Sequence, residues 1–452
     1  MSMILGFLRQ RRNSVFLLLA VVLFLCAGQA DADRTVRAMW VWHTLDPMTK
    51  ADKRKELLDF CKERGISELF FQMQYAFAGG DGGVMCSLSH QDHLRSFLRD
   101  AHKRGIKVHA LDGDPTFVLK SNHPKVLAQV KAILEFNAKG KPDEGYDGIH
   151  LDNEPYLLVG YNGSRRKQIL QEFVELNKKC MDAVRSSGQK IVFGIDIPFW
   201  FEEVGDSGEV SAELDFNGSK KAVSYHLLDI VDNVGIMDYR NFADGSDGII
   251  AHGMDEVEYA TKIGKKVYIG VETYRPDPEK VVFIYGHPKY EFENRLDSVG
   301  GKFAKQYTYK NLKIRKLDDG ANMHIGVLVP KEPERRAVME GVIEEICRVF
   351  GKDVYLQDES AINDMMFNAE FAVSKEGPYE NFSVNTIPSD RANRAFVRFE
   401  ADLVTLPKIT FGGMSKREME EELAAAEEAF KGHAGFYGFA IHFYESYKSM
   451  KE

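Results

Sequence analysis

Apolar and polar positions follow two repeating patterns along most of the chain. From Thr35 onward, short apolar runs rich in Val, Ile and Phe alternate with longer stretches of helical periodicity. The short runs predict β-strands, and the longer stretches predict amphipathic helices. The strand candidates are residues 36–43, 67–74, 107–114, 148–154, 191–197, 232–239, 266–273 and 436–444.

Glycines mark the places where the predicted helices should stop. Helical patterns end at Gly65, Gly105, Gly188 and Gly264, each shortly before a strand candidate. A glycine at this place supplies the left-handed C-cap that a short helix-to-strand loop requires. Eight such repeats with strongly apolar strands predict an α/β fold, a closed (β/α)₈ TIM barrel. An open doubly wound sheet is the alternative, but VWHTLDPM after the first strand is not a glycine-rich turn.

The repeat is interrupted once, after the seventh strand candidate. Residues 279–407 contain a helix pattern (EPERRAVMEGVIEEICRVFG) and strand-like runs (MHIGVLVP, RAFVRFEADLV). A segment with its own elements predicts a small α+β insertion domain and not a loop. Loops after barrel strands emerge on the catalytic face, so we expect the insertion beside the active-site mouth. Residues 33–278 and 408–452 are then the barrel, with an eighth helix that is missing or very short.

The N-terminus has the residue order of a secretory signal peptide. Three arginines precede an apolar run from Val15 to Ala27, and Ala30-Asp31-Ala32 follows it. This is the order of charge, hydrophobic core and small residues that precedes signal cleavage, and the run is short for a membrane span. We expect residues 1–32 to be removed, no stable membrane insertion afterwards, and a secreted or periplasmic protein. An uncleaved anchor is the alternative.

Composition and charge narrow the classes of partner and ligand. The formal net charge is −9, and no basic run follows the N-terminus, which argues against nucleic acid as a partner. The chain has no phosphate-binding glycine loop and no dinucleotide fingerprint, so we expect no cofactor. His109, Asp112 and Asp114 lack a matching second cluster of ligands, so we expect no metal. Cys61 and Cys180 lie in helical patterns and are expected to be buried free thiols.

Candidate chemistry concentrates in residues 146–156, YDGIHLDNEPY. Side chains two apart share a face of a strand, so His150, Asp152 and Glu154 should point the same way. Pro155 cannot continue a central strand, so we expect the strand to stop near Glu154, at the edge where barrels hold their active sites. Burying three ionisable groups together is costly, which favours a functional site over a simple helix cap.

This stretch resembles the strand-four motif of chitinase-like glycoside hydrolases, Asp-Gly-x-Asp-x-Asp-x-Glu. The run DGIHLDNE, from Asp147 to Glu154, matches it except that His150 stands at the middle Asp. The resemblance implies that Glu154 is the general acid and, in a substrate-assisted mechanism, that Asp152 orients an N-acetyl oxygen as nucleophile. It also implies that Tyr239, in the sequence MDY, helps to hold the acetamido group. The eighth strand candidate has no Trp that could form the floor of the sugar site.

Asn153-Glu154-Pro155 also resembles the end of strand four in a large clan of retaining glycosidases. In that clan the Glu is the acid/base and a Glu that ends strand seven is the nucleophile, which implies this role for Glu272 in VYIGVET. Glycoside cleavage needs one carboxyl to protonate the leaving oxygen and another to stabilise or attack the oxocarbenium centre. A covalent route through Glu272 and a substrate-assisted route through Asp152 both stay open.

Further side chains at strand ends supply a candidate carbohydrate cleft. The substrate-binding candidates are Asp147, His150, Asn153, Trp42, His43, Gln74, Asp112, Asp196, Tyr239, His442 and Tyr444. Sugar recognition needs aromatic platforms and convergent polar groups, which these residue types provide. We therefore expect an exported retaining glycoside hydrolase that acts on a poly- or oligosaccharide. A non-catalytic carbohydrate-binding or cell-envelope assembly protein on the same barrel is the alternative.

Overall fold

A computed structural model describes most of the predicted barrel. The described residues are 35–80, 83–158, 161, 165–204, 210–277, 279–286, 312–317, 323–327, 379–388, 395–403 and 405–452. The predicted signal peptide, residues 1–32, and the helix predicted within the insertion lie outside the described residues. None of the helices in the described ranges combines the length and the hydropathy needed to cross a bilayer.

Eight parallel strands close into a barrel, as the sequence predicts. They are β1 (Val36–Val41), β2 (Glu68–Gln72), β3 (Lys107–Asp112), β4 (Gly148–Leu151), β5 (Val192–Pro198), β6 (Asn233–Met237), β7 (Lys266–Glu272) and β8 (Phe436–His442). Each strand pairs in parallel with the strands before and after it in the chain, and β8 pairs with β1. The (β/α)₈ fold is therefore confirmed.

A helix follows every barrel strand. The helices are α1 (Ala51–Glu63), α2 (Gln91–His102), α3 (His123–Lys139), α4 (Arg166–Ser186), α5 (Val223–Ile230), α6 (Ile249–Ile263), α7 (Lys416–Phe430) and α8 (Tyr444–Ser449). The glycines after α1, α2, α4 and α6 have positive φ angles of 66°, 73°, 68° and 71°, which confirms the predicted C-caps. The last helix has only six residues, as expected. Cys61 and Cys180 are buried free thiols, as predicted.

The core divides into two layers because successive strand residues face opposite sides of the sheet. Outward-facing residues such as Met39, Leu69 and Phe71 pack against the helices. Inward-facing residues fill the barrel itself, namely Ala38, Trp40, Phe70, Leu111, Tyr268 and Ala440. The barrel interior is a packed core and not a pore, so substrate can approach only its ends.

The amino-terminal end of the barrel holds a buried polar cluster around Glu68. The Tyr268 hydroxyl donates to Glu68, and His109 Nε2 lies 3.3 Å from its Oε2. Burial alone would raise the pKa of Glu68, but His109, Tyr268 and Lys107 together lower it to about 2. These contacts satisfy the buried carboxylate, and they leave the opposite end of the barrel as the candidate active site.

Strand β4 ends three residues earlier than its sequence predicts. The strand stops at Leu151, although the Asp152 amide still donates to the Asp112 carbonyl at 2.9 Å. Glu154 then adopts a left-handed conformation (φ 42°, ψ 61°) and begins the 3₁₀ helix Pro155–Leu157. Pro155 lacks an N–H and cannot pair as a strand residue, so the chain turns instead of extending. Asp152 and Glu154 consequently lie on a turn above the barrel.

Five strands that follow β7 and precede α7 in the sequence form a separate antiparallel sheet. Its five strands are Glu279–Gly286, Leu312–Leu317, Met323–Val327, Tyr379–Pro388 and Ala395–Leu403. The first and last of these strands pair with each other, so that Glu279 lies opposite Leu403. The two ends of this segment are therefore adjacent, whereas its assignment as an independent domain over 279–407 stays a prediction.

Candidate active site

Ionisable side chains from four strand ends converge at the carboxyl-terminal end of the barrel. Burial first, and then nearby negative charge, raises the pKa of Tyr239 well above its usual range. The carboxyl groups that act on this tyrosine are Glu272, Asp152, Glu154 and Asp196. The structure thus brings together the residues that the two sequence resemblances single out. We call Asp152, Glu154, Tyr239 and Glu272 the acidic cluster.

Asp152 and Glu154 have environments that favour their protonated forms. Burial is the main cause of the raised pKa of both carboxyls, and the negative charge of Asp196 acts in the same direction. The Tyr156 hydroxyl donates to Glu154 Oε1, which partly opposes this effect. Both side chains keep some exposure to solvent, so a ligand in the barrel mouth can reach them. A carboxyl that stays protonated but accessible suits proton donation.

The backbone of Glu154 is strained. Its φ of 42° is one of three positive values at non-glycine residues in the described ranges, with His90 and Asn217. The left-handed region costs a residue with a Cβ roughly 1–2 kcal/mol. Strain of this kind persists at functional sites, where it aims a side chain. Here the strained residue joins the end of β4 to the 3₁₀ helix Pro155–Leu157.

His150 pairs with Asp196 underneath the acidic cluster. His150 Nε2 lies 2.8 Å from Asp196 Oδ1, and Trp40 Nε1 donates to Asp196 Oδ2 at 3.2 Å. The imidazole stacks on Phe70 with ring centroids 3.9 Å apart. The side chains of His150 and Asp196 are fully buried, so they support the cluster from below and do not face the cleft. A Cβ at Gly235 would lie 2.1 Å from Asp196 Oδ1, so only glycine fits beside this pair.

Glu272, the last residue of β7, is held by three donors. Its Oε1 accepts from the Thr273 amide at 2.8 Å and from the Tyr274 amide at 2.6 Å. Its Oε2 lies 2.8 Å from His442 Nδ1, and His442 Nε2 lies 2.8 Å from Trp42 Nε1. The carboxylate is therefore fixed in one orientation at the end of the strand.

Asp112 and Asn153 line the same end of the barrel. Burial, the largest influence, raises the pKa of Asp112 to about 6, although Gly113 N and Gln129 Nε2 donate to its oxygens. Asn153 is buried, and neither atom of its side-chain amide has a hydrogen-bond partner among the described residues. Asp152 Oδ1 is also buried without such a partner. Buried polar atoms without a partner are uncommon in folded proteins.

A cavity of about 510 Å³ lies beside the acidic cluster, because its wall residue Trp42 is linked through His442 to Glu272. We call it the lateral cavity. Its wall contains Trp42, His43, Thr44, Leu45, Asp46, Pro47, Lys53, Glu56, Gln72, Gln74, Tyr444, Glu445 and Lys448. Its charged side chains are paired: Glu56 with Lys53 and Lys448, Glu445 with His43, and Asp46 with Lys50. Aromatic faces and neutral amides are left to contact a ligand.

The structure does not bring Asp147 to this end of the barrel, which corrects its assignment as a substrate-binding residue. Asp147 precedes β4, and its Oδ2 lies 2.8 Å from the Val108 amide and 2.9 Å from His102 Nε2. Parallel strands place their first and last residues at opposite ends of the barrel. Asp147 therefore fastens α2 and β3 to β4, far along the strand from Glu154.

The sequence did not lead us to predict Tyr156 as a site residue, although its hydroxyl is the hydrogen-bond donor to Glu154. A signal for it was present, because Pro155 starts a turn and a turn brings the next side chain back towards Glu154. Tyr156 in turn packs against Trp200, with ring centroids 5.5 Å apart. Trp200 follows β5, and nothing in the sequence pattern connects it to this turn.

Comparison with solved structures finds chitinases and related enzymes. A chitinase from Chromobacterium violaceum is 9% identical, over 93% of this chain and 96% of that one, with a TM-score of 0.39. The Ostrinia furnacalis Group IV chitinase in complex with allosamidin is 11% identical, over 91% and 93% of the two chains, with a TM-score of 0.39. The spore cortex-lytic enzyme of Bacillus megaterium is 12% identical, over 90% and 70%, with a TM-score of 0.36.

Comparison of the sequence itself adds nothing to this. No protein-family model matches the chain, and no curated protein matches its sequence. The solved structures named here have TM-scores of 0.39 or less, so a function is inferred from the side chains of this chain alone.

Proposed function

We propose that the protein is a glycoside hydrolase in which Glu154 is the general acid and base. The observation that carries this proposal is the environment of the Glu154 carboxyl. Burial raises its pKa, the Tyr156 hydroxyl orients it, and it lies on a strained turn where the charges of Asp196 and His442 act on it. A carboxyl in this state can protonate a glycosidic oxygen at a pH where an ordinary glutamate is already ionised.

Glu272 is the second carboxyl of the proposed retaining mechanism. It is the last residue of β7, and three donors fix its orientation. A fixed carboxylate can attack or stabilise the anomeric carbon while Glu154 protonates the leaving oxygen on the other side of the bond. Glu154 then removes a proton from the water that hydrolyses the intermediate.

A substrate-assisted route through Asp152 is the second candidate. The observation that favours it is Asp152 Oδ1, a buried atom without a hydrogen-bond partner among the described residues. An N-acetyl N–H of a bound sugar would satisfy this oxygen and turn the acetamido oxygen towards the anomeric carbon. Glu272 would then bind the substrate and not attack it.

The lateral cavity supports a neutral poly- or oligosaccharide as the substrate. Trp42 and Tyr444 offer aromatic surface, Gln72 and Gln74 offer amides, and the charged side chains of the wall are paired. Neutral sugar rings present one apolar face and a rim of hydroxyls, which match such a wall. Export from the cytoplasm, proposed from residues 1–32, gives access to extracellular or envelope polysaccharides.

A substrate screen tests this proposal. Wild type and Glu154→Gln are assayed on N-acetylated and plain hexose oligosaccharides, and the anomeric form of the first product is followed by NMR. We expect turnover with retained configuration in wild type and a large loss in the variant. Equal activity in both proteins would remove Glu154 from its role. Binding without turnover in both would favour the carbohydrate-binding alternative.

The same screen separates the two routes. Hydrolysis of N-acetylated sugars alone would support Asp152, because the acetamido group is then the nucleophile. Hydrolysis of plain hexosides, with Glu272 labelled by a 2-deoxy-2-fluoro glycoside, would support the covalent route. Glu258→Gln is a matched control, because it makes the same Glu-to-Gln change at an exposed position of α6 and leaves all three carboxyls in place.

A further inference from the structure

Three side chains form a hydrogen-bonded chain across neighbouring strand ends. Trp42 follows β1, His442 ends β8 and Glu272 ends β7, and these three strands are adjacent in the barrel. Trp42 Nε1 lies 2.8 Å from His442 Nε2, and His442 Nδ1 lies 2.8 Å from Glu272 Oε2. Both distances are those of good hydrogen bonds.

The indole N–H of Trp42 sets the direction of both hydrogen bonds. An indole N–H can donate a hydrogen bond and cannot accept one. His442 Nε2 must therefore accept, which leaves the proton of a neutral imidazole on Nδ1, where it is donated to Glu272. A doubly protonated imidazole would set its Nε2–H against the N–H of Trp42. Trp42 thus selects one tautomer of His442 and, through it, one donor for Glu272.

Neighbouring groups keep the His442 ring in place. Trp40 meets the ring edge-on with centroids 5.6 Å apart, and Tyr239 stacks on it at 6.1 Å with an interplanar angle of 28°. The titratable groups that act on the ring are Glu272 from β7, Glu154 from the turn after β4, and Tyr239 after β6. Since protein groups occupy both ring nitrogens, His442 has no nitrogen left for a sugar hydroxyl.

We propose that Trp42 and His442 are positioning residues that hold the Glu272 carboxylate in its reactive orientation. The inference rests on the proposed function for the role of Glu272, whereas the hydrogen-bond chain is formed by the protein's own side chains. The Thr273 and Tyr274 amides fix one oxygen of Glu272, and His442 fixes the other. Misplacement of a reacting group by about 1 Å can cost on the order of 100-fold in rate.

A spectroscopic test needs no substrate. The full chain is labelled with ¹⁵N-imidazole histidine, and His442→Asn assigns the signals of His442. We expect a protonated Nδ1 and a bare Nε2 in wild type, and loss of this tautomer preference in Trp42→Phe, which keeps an aromatic ring but removes the donor. Tyr444→Phe, a change elsewhere in the lateral cavity, should leave the signals as in wild type. A protonated Nε2 in wild type, or an unaltered tautomer in Trp42→Phe, would overturn the proposal.

A kinetic test separates positioning from sugar binding. We expect kcat to fall about 10-fold in Trp42→Phe and about 100-fold in His442→Ala, with KM little changed. His442→Asn should recover most of the rate, because its amide nitrogen can replace Nδ1 as the donor to Glu272. A raised KM with unchanged kcat would show that these residues bind sugar and would refute the positioning role. If the tautomer result holds but Glu154→Gln and Glu272→Gln are fully active, the proposed function fails and not the hydrogen-bond chain.

Discussion

The Tyr156 hydroxyl donates a hydrogen bond to Glu154 Oε1 across the turn that begins at Pro155. This bond stabilises the ionised carboxylate, whereas burial and the charge of Asp196 stabilise the protonated form. Burial is the largest of these influences, so the net result is a raised pKa. The proton affinity of the proposed acid is therefore set by opposing neighbours that can be removed one at a time.

Tyr156→Phe should make Glu154 a weaker acid. Losing the hydroxyl removes a donor to the carboxylate, so the pKa of Glu154 rises further. The basic limb of the pH profile of kcat/KM, which reports the essential acid of the free enzyme, should move to higher pH. Titration of activity from acid to alkaline pH in both proteins checks this. A basic limb that moves to lower pH would contradict it.

Asp196→Asn should shift the same limb in the opposite direction. The Asp196 charge raises the pKa of Glu154, so replacing it with a neutral amide lowers that pKa. The Asn side chain keeps an oxygen for Trp40 Nε1, which donates to Asp196 in wild type. Paired pH profiles of Asp196→Asn and Tyr156→Phe measure both signs under the same conditions. Shifts of equal sign would show that Glu154 is not the group being titrated.

The architecture follows from features that the sequence displays directly. Alternating apolar periodicities predicted every barrel strand, and Gly65, Gly105, Gly188 and Gly264 predicted where helices end, because positive φ angles favour glycine. Helix ends are local properties of this kind. The pairing of β8 with β1 closes the barrel. It was expected from the number of repeats, and no single residue indicates it.

The site was only partly predictable, because side-chain contacts between distant residues leave no periodic signal. Strand parity suggested that His150, Asp152 and Glu154 share a face, but His150 is buried against Asp196 while the other two lie on a turn above it. Asp147 belongs to the same motif and lies at the other end of the strand. Trp42 and His442 are 400 positions apart, so the local sequence around either residue could not predict the hydrogen bond between them.

Asp238→Asn should remove a pH dependence of stability. Burial raises the pKa of this carboxyl to about 6, above the value of about 4 in an unfolded chain. The unfolded state therefore loses its proton first, and the free energy of unfolding decreases as the pH rises from about 4 to about 6, by about 3 kcal/mol. In Asp238→Asn this decrease should shrink by that amount in urea titrations at several pH values. A slope as steep as in wild type would contradict it.

Asp247→Asn is a nearby control in which stability should depend on pH in the opposite direction. Hydrogen bonds from Arg240 and Lys408 lower the pKa of Asp247 to about 2. Its contribution to stability is present above a pH of about 4 and disappears as the pH falls towards 2. The variant should therefore be destabilised relative to wild type at neutral pH, with the difference vanishing in acid. Both variants keep the amide oxygen as a hydrogen-bond acceptor.

Replacing Glu279–Leu403 with a short Gly/Ser linker should leave a folded barrel. Glu279 and Leu403 are paired opposite each other, so a short linker can join the flanking residues without moving β7. If the segment is a lid or an extra subsite, affinity for long substrates should fall more than the rate on a small aryl glycoside. Circular dichroism and kinetics on both substrates check this. Unchanged affinity for long substrates with an altered mass in solution would favour a role in dimerisation.

The most direct test of Glu154 as the general acid compares how much activity Glu154→Gln loses on substrates with different leaving groups. In Glu154→Gln, kcat/KM on an oligosaccharide should fall by about 100-fold to 10,000-fold, because its leaving oxygen needs a proton. On a dinitrophenyl glycoside, whose leaving group needs none, the fall should be about 10-fold or less. Equal losses on the two substrates, or none on the oligosaccharide, would contradict the role proposed for Glu154.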